Sequence, residues 1–387
     1  MKLTFTILTA LLLASLTVAY TAEIAAKKIL ADGKTYLIIG QTFRGEFENY
    51  VKGIGKAPAG SSHYGGIYSG NIDQGDDGNN QAFLNWIGKT YPNAVVEVGI
   101  SIKDNPVAGG YGSLDTTPNC VHKALLDIAA GKCDAKIDKF ASTFKSFPHI
   151  KFLVRIDYEV SMGMHANKST TPWGDILNKY ASQGINILED PSKAPEVDLS
   201  AYKDAFNHMA KRIRQTDGVK NAEFVFHPVR GFGDCRHLYP GDEFVDWIGF
   251  SVFNNDVSMD CLEANGAITR NGTGILDDNL KKCLEWAKGR KPIMICESAF
   301  QTPSAGHTAA TFNDYLGRVF RLIDAYDVKA FVYINSDWKS HNWTLPWGDS
   351  RVEANSDVKD YWLRQVNGSR FIHYDALTSC PTAPSSR

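Results

Sequence analysis

The chain has almost no net charge, which limits the kinds of partner it can attract. Its 41 lysines and arginines nearly balance its 43 aspartates and glutamates, and the formal net charge is −2. Proteins that bind nucleic acids or anionic membrane surfaces usually concentrate positive charge. We therefore expect no nucleic-acid partner and no attachment to a membrane surface.

Several short motifs are also missing. There is no CxxC pair, no Cys/His spacing typical of a zinc site, and no glycine-rich phosphate-binding fingerprint in the first predicted unit. Internal repeats and low-complexity stalks are absent as well, which counts against a structural or adhesive wall protein. We expect neither a metal ion nor an organic cofactor.

Long hydrophobic runs are limited to the N-terminus. Met1-Lys2 is a short basic start, the apolar run Phe5–Ala19 follows, and small residues stand at Ala19 and Ala22. This pattern predicts a secretory signal peptide over residues 1–22, with a membrane anchor as the alternative. We expect an extracellular, secreted protein that is a monomer and has no membrane contact after signal cleavage.

The rest of the chain fits one large domain. Its apolar content of 43% and aromatic content of 11% allow a sizeable buried core, which suits one α/β domain better than several small ones. We place this domain at residues 23–367 and a polar, loosely held C-terminal tail at residues 368–387.

The seven cysteines fit an oxidising compartment, and their odd number leaves at least one of them without an intramolecular partner. We expect local disulfides between Cys120 and Cys133 and between Cys235 and Cys261. Cys296 lies inside an apolar run and should be a buried free thiol. Sequons compatible with a glycoprotein occur at Asn167, Asn271, Asn342 and Asn367.

Eight short apolar segments alternate with helical patterns along the chain. Most lack the polar–apolar alternation of half-exposed strands, so they indicate strands buried on both faces of a parallel sheet. Eight such units favour a (β/α)₈ TIM barrel over an open doubly wound sheet. The predicted strands are Thr35–Gly40, His63–Gly70, Ala94–Ser101, Phe152–Ile156, Ala222–Phe226, Phe244–Phe250, Pro292–Cys296 and Val328–Asn335.

Two glutamates follow strands of this predicted barrel at its functional end. In TIM barrels the functional residues collect at the carboxyl ends of the strands. Glu159 follows the fourth strand and Glu297 follows the seventh. One carboxyl group can hold a proton while the other stays ionised, because each raises the cost of charging its neighbour. Glycosidic bond cleavage needs such a pair, and a separation of about 5–5.5 Å would make the reaction retaining.

Other side chains near these strand ends are candidates for substrate binding, and each also fits a structural role. Trp338, after the eighth strand, can form a platform for a sugar ring or can pack in the core. His227, after the fifth strand, can contact a ligand or can be a hydrogen-bonded structural histidine. Arg155 is expected to fix a carboxylate by bidentate bonding. Tyr158 directly precedes Glu159.

Three segments carry a resemblance to a known family. Arg155-Ile-Asp-Tyr-Glu159 resembles the R-x-x-H-E segment of glycoside hydrolase family 26. Tyr239-Pro-Gly-Asp-Glu-Phe-Val-Asp-Trp-Ile-Gly249 is similar to that family's Y-P-G-D-x-Y-V-D-x-x-G segment, and Lys291-Pro-Ile-Met-Ile-Cys-Glu297 to its K-P-x-x-x-x-E strand. The resemblance implies a retaining, endo-acting hydrolase of a β-linked polysaccharide such as mannan, xylan or β-glucan. It also implies that Glu159 is the acid/base and Glu297 the nucleophile.

The sequence departs from the family pattern at three positions. Tyr158 replaces the histidine that precedes the acid. Phe253 stands where the family has a tyrosine that contacts the nucleophile, and Ser251 stands where an aspartate is common. The resemblance is therefore to a divergent member. These departures support the alternative hypothesis, a non-catalytic carbohydrate-binding protein on the same barrel.

Overall fold

A computed structural model provides the coordinates. It describes residues 30–40, 43–67, 69–72, 81–102, 123–160, 180, 183–185, 187–195, 197–228, 234–253, 275–301, 308–341 and 347–378. The chain divides into two units, Met1–Asp32 and Gly33–Arg387. Only residues 30–32 of the first unit are described, and every element below belongs to the second.

Eight parallel strands close into a barrel, which confirms the predicted (β/α)₈ fold. Neighbouring strands in the chain pair around the ring, and β1 pairs with both β2 and β8 to close it. The strands are β1 (Thr35–Gly40), β2 (Gly60–Gly66), β3 (Val95–Ser101), β4 (Lys151–Ile156), β5 (Ala222–Phe226), β6 (Trp247–Phe253), β7 (Ile293–Ala299) and β8 (Ala330–Ile334).

Helices follow the strands and pack their apolar faces outside the barrel. In the longest of them, α7, buried side chains recur at helical spacing, from Phe312 and Tyr315 to Ile323. The described helices are α1 (Arg44–Ile54), α2 (Ala82–Thr90), α3 (Lys123–Ala129), α4 (Asp134–Ser146), α5 (Ser200–Gln215), α6 (Ile275–Ala287), α7 (Ala309–Ala325), α8 (Ser356–Val366) and α9 (Tyr374–Thr378).

The barrel interior changes character along its axis. Its lower part is filled by an apolar cluster, as expected for a packed barrel rather than a pore. Nearer the carboxyl ends of the strands the buried inward residues are polar or charged, beginning with Glu97 on β3 and Arg155 on β4. The apolar cluster consists of Ile38, Val95, Leu153, Val225, Trp247, Met294, Cys296, Ala330 and Val332.

The segment after Gly368, expected to be a loosely held tail, contributes structure. The two-residue strand Phe371–Ile372 pairs in parallel with β1 outside the ring, and α9 follows it. A second short strand, Asn71–Ile72, pairs antiparallel with β2. Among the described residues, no helix is long and apolar enough to cross a membrane.

The disulfide prediction for Cys235 was wrong, because Cys235 is bonded to Cys283 instead of Cys261. Both partners are buried, Cys235 in a short 3₁₀ turn and Cys283 on α6, so the bond joins elements that already pack together. Cys296 is a buried free thiol, as predicted. Cys120, Cys261 and the sequons at Asn167, Asn271 and Asn342 lie outside the described residues.

Candidate active site

Arg155 lies at the centre of the polar upper part of the barrel. Its position on β4 follows Leu153 by two residues, so both side chains point inward. The side chain is fully buried and forms ion pairs with two carboxylates. Its Nε pairs with Glu97 of β3, and its Nη1 lies 2.5 Å from Oε1 of Glu297 on β7. One guanidinium is therefore shared between two buried acids.

Glu297 points into the barrel because β7 carries one extra residue. Ile295 pairs with Phe250, but the next pair is Glu297 with Ser251, so Cys296 has no partner in the register. Such a bulge redirects the following side chain, and bulges are common next to active sites. Cys296 already faces the interior, and the bulge turns Glu297 inward as well.

Glu159 stands in the turn that follows β4. Asp157 and Glu159 both have left-handed backbone conformations, with φ of 50° and 54°, which non-glycine residues adopt only at some energetic cost. The turn directs the Glu159 carboxylate toward β6, where it accepts a hydrogen bond of 2.6 Å from the Ser251 hydroxyl. Glu159 is 7% exposed and Glu297 is 6% exposed, so both are largely shielded from water.

A continuous hydrogen-bonded chain joins the two glutamates. From Glu297 it passes through Arg155 Nη1 to Nδ1 of His227 at 3.2 Å, then from His227 Nε2 to Ser251 Oγ at 3.0 Å, and on to Glu159. Arginine can only donate, so His227 Nδ1 must accept. The proton of a neutral imidazole then sits on Nε2 and is donated to Ser251, which in turn donates to Glu159.

Two tyrosines pack around the guanidinium. Tyr64 on β2 donates a 2.7 Å hydrogen bond to Glu297 Oε1. Its ring lies edge-on to Tyr158, with centroids 5.2 Å apart, and Arg155 Cζ lies 5.2 Å and 5.0 Å from the two ring centroids. Cations are attracted to aromatic faces at these distances. Gly99 leaves the space that these three side chains fill.

The donors to Glu297 stay protonated. Burial by itself lowers the pKa of Arg155, but the negative charge of Glu297 and its hydrogen bond raise the pKa overall, so the guanidinium stays charged. Burial, and then the negative charge of Glu297, raise the pKa of Tyr64 well above its usual value. Burial also raises the pKa of the Cys296 thiol, against the opposing effect of Arg155.

The structure brings together five of the six predicted site residues. Glu159, Glu297, Arg155 and His227 belong to one hydrogen-bonded chain, and Tyr158 packs on Arg155. Arg155 and His227 are fully buried, so neither offers accessible surface to a ligand.

Trp338, the sixth predicted residue, lies in a separate small cluster. It packs with Ala299 and Ile334, and its ring meets that of Trp347 edge-on at 4.9 Å between centroids. Trp338 is 3% exposed, whereas Trp347 is only partly buried. Trp347 therefore has more accessible ring surface than Trp338.

Two residues of the site, Tyr64 and Glu97, were not predicted from the sequence. A glutamate inside the otherwise apolar segment Val95–Ser101 was an available signal, because a charge buried in a barrel strand needs a partner. Tyr64 gave no comparable signal, since its contact with Glu297 spans 233 residues of sequence. Among the described residues, no group of three or more His, Cys, Asp or Glu side chains is arranged to hold a metal ion.

Residues 192–300 of the chain match the family model of glycosyl hydrolase family 26. This segment includes β5, β6 and β7, and with them His227, Ser251 and Glu297.

Similar proteins extend the match beyond that segment. The chain is 25% identical to β-1,3-xylanase TXYA from a Vibrio species, over 93% of this chain and 70% of the relative. It is 23% identical to a β-1,3-xylanase from an Alcaligenes species, over 92% and 69%. Among solved structures, it resembles an endo-β-1,4-mannanase double mutant from Cellulomonas fimi, with a TM-score of 0.57 and 17% identity over 89% of this chain and 73% of the mannanase.

Proposed function

We propose, from the premise that the chain is a divergent member of glycoside hydrolase family 26, that it cleaves a β-linked polysaccharide by a retaining mechanism with two glutamates. The observation that carries the proposal is the hydrogen-bonded chain from Glu297 to Glu159 inside a barrel whose functional end is polar. It gives the two carboxyl groups different environments, as acid and nucleophile require.

Glu297 is the proposed nucleophile. Arg155 and Tyr64 both donate hydrogen bonds to its Oε1, which hold the carboxylate in a fixed orientation. In the first step this carboxylate attacks the anomeric carbon, and the bond from that carbon to the leaving oxygen breaks. A covalent glycosyl-enzyme results.

Glu159 is the proposed acid/base. It protonates the leaving oxygen in the first step, and as a carboxylate it then takes a proton from the water that attacks the glycosyl-enzyme. Ser251 donates to Glu159 Oε1, which fixes the orientation of this carboxyl group. Because Arg155 and His227 are fully buried, we assign both to holding the carboxylates rather than to contacting the sugar.

The sugar contacts are proposed for the more accessible aromatic side chains. Tyr158 and Trp347 are each partly buried, and such a ring can pack against the C–H face of a sugar. In this arrangement the buried Trp338 ring packs edge-on against Trp347 and holds it in place. β-1,3-Xylan is the first candidate substrate because of the two named relatives, followed by β-mannan and β-glucan. We further propose a secreted monomer that needs no cofactor.

The first experiment tests the activity and both glutamates. We expect the purified protein to release reducing ends from at least one of β-1,3-xylan, β-1,4-xylan, β-mannan and β-glucan, with long early products if it acts within the chain. Glu297→Gln should lower kcat by on the order of 10³-fold or more, and Glu159→Ala by about 10²–10⁴-fold. Added azide should restore turnover of an activated aryl glycoside by Glu159→Ala, with a β-glycosyl azide as the product.

A matched control separates these effects from general damage. Glu285→Gln changes an exposed glutamate on α6, and its activity should equal that of the unmodified protein. Full activity in Glu297→Gln would refute the nucleophile assignment. Glycan binding without any new reducing ends would favour the non-catalytic carbohydrate-binding alternative.

A further inference from the structure

We propose that Tyr64 and Glu97 are positioning residues that act on Glu297 in opposite directions, Tyr64 favouring its ionised form and Glu97 opposing it. This inference rests on the proposed role of Glu297 as nucleophile. It concerns two residues on β2 and β3, which lie outside the segment that matches the family model.

Tyr64 acts on Glu297 directly. Its hydroxyl lies 2.7 Å from Oε1, and Arg155 donates to the same oxygen. A hydrogen bond to a charged acceptor favours the charged form. Tyr64 is partly buried, and burial and the charge of Glu297 raise its pKa well above the usual value, so the phenol stays protonated across the working pH range. It is therefore a donor whenever Glu297 is ionised.

Glu97 acts through Arg155. Its carboxylate pairs with Arg155 Nε and accepts a hydrogen bond from the buried Ser62 hydroxyl. Glu97, Arg155 and Ser62 are all buried, so solvent only weakly screens the charges of Glu97 and Arg155. The guanidinium must therefore balance Glu97 and Glu297 together. Removing the charge of Glu97 would leave Arg155 wholly to Glu297 and would remove a nearby like charge, and both effects favour ionisation of Glu297.

Titratable or charged groups from several strands surround Glu297, and each variant changes one of them while the others stay in place. Within the described part of the chain these groups are Tyr64 from β2, Glu97 from β3 through Arg155, Arg155 from β4, Tyr158 through Arg155, Glu159 after β4, His227 from β5 through Arg155, and Cys296 next to Glu297 on β7.

The test compares pH profiles of kcat/KM, whose acid limb reports the ionisation of the nucleophile in the free enzyme. In Tyr64→Phe, the acid limb should move to higher pH by about one unit, because a donor to the carboxylate is lost. In Glu97→Gln, it should move to lower pH by about one unit. A merely structural role would lower activity without moving the limb in opposite directions.

The control is Tyr326→Phe, which removes a tyrosine–glutamate hydrogen bond of the same kind away from the site. Tyr326 donates to Glu285 at 3.2 Å in the helical layer. This variant should leave the profile unchanged. If Tyr64→Phe and Tyr326→Phe give the same acid limb while Glu297→Gln is inactive, the inference fails and the proposed function stands.

A second readout does not depend on activity. The full chain is labelled with ¹³C at the glutamate carboxyl groups and titrated by NMR. The Glu297 signal is the one that is absent from the spectrum of Glu297→Gln. The titration midpoint should rise in Tyr64→Phe and fall in Glu97→Gln. This measurement decides the inference even if no tested glycan is cleaved or if Glu97→Gln is poorly active, and unchanged midpoints would overturn it.

Discussion

Gly99 shows how tightly the side chains around Arg155 are packed. A Cβ added at this position would lie 3.0 Å from Arg155 Nη2, 3.0 Å from Tyr158 Cδ1 and 3.2 Å from Tyr64 Cδ1. At least one of the three side chains would have to move by a few tenths of an ångström. Because Arg155 and Tyr64 both donate hydrogen bonds to Glu297, the absence of a side chain at residue 99 is part of the site's geometry.

We therefore expect Gly99→Ala to impair both stability and activity. Overpacking should lower the free energy of unfolding by about 1–3 kcal/mol, and the displaced Arg155 should lower kcat/KM by about tenfold or more. Urea unfolding and initial rates on the cleaved glycan measure the two effects.

Gly45→Ala is the matched control for this substitution. Gly45 lies in α1 with no atom within 4 Å of the added Cβ, so alanine should stabilise the protein by about 0.5–1 kcal/mol and leave the activity unchanged. An equal loss of activity in the two variants would contradict the packing argument.

The sequence predicted the residues of the site better than their contacts. Strand ends identified Glu159, Glu297, Arg155 and His227, because the barrel fold brings all carboxyl ends of its strands to one mouth. The hydrogen-bonded chain that orders them depends on which atoms meet across four strands, β4 to β7. That information comes only from the strand register and from inward or outward orientation.

At the scale of elements, the C-terminal segment depends on a buried histidine. His373 follows the short strand beside β1, forms a bridge with Pro58, and donates from Nε2 to the carbonyl of Val366 at 2.8 Å. Burial, together with the nearby positive charge of Lys56, lowers the pKa of His373 below its usual value, against the opposing effect of the Val366 bond. The folded protein therefore holds this imidazole neutral.

This arrangement predicts a loss of stability in mild acid. At pH values between the ordinary pKa of 6.5 and the lower pKa in the folded protein, the His373 imidazole binds a proton in the unfolded chain but not in the folded protein. Stability should therefore be complete above that range and fall as the pH decreases through it. Between pH 7 and pH 5.5, we expect Tm to drop by roughly 2–4 °C more in the unmodified protein than in His373→Gln. Parallel pH dependences would contradict this account.

The elements themselves were predicted with uneven success. β1 and β5 were predicted with the observed bounds. α1 was not predicted from the sequence, because charged residues cover its exposed face. Its buried residues Phe47, Tyr50 and Ile54 nevertheless recur at helical spacing. β6 and β7 each end three residues later than predicted, at Phe253 and Ala299, and each extension begins with a buried polar residue, Ser251 or Glu297.

At the scale of the whole molecule, the disulfide cross-links two distant parts of the sequence. It joins Cys235, in the turn after β5, to Cys283 on α6, 48 residues later. A cross-link restricts the unfolded chain more than the folded one. Replacing both cysteines with alanine should lower the free energy of unfolding by about 2–4 kcal/mol, measured by urea unfolding, with activity at low temperature retained. An unchanged midpoint would show that the link adds no stability.

The bulge in β7 changes which residues face the barrel interior, from even-numbered residues before it to odd-numbered Glu297 after it. Even-numbered side chains face the interior at Met294 and Cys296, whereas Glu297 contacts Arg155 and Ser298 turns outward to Tyr315 of α7. The direction of the carboxylate therefore depends on the extra residue in β7 as well as on the presence of a glutamate at position 297. Without the bulge, ordinary alternation from Met294 and Cys296 would turn residue 297 toward the helices. Any strand segment exchanged between barrels must carry this extra residue together with its acid.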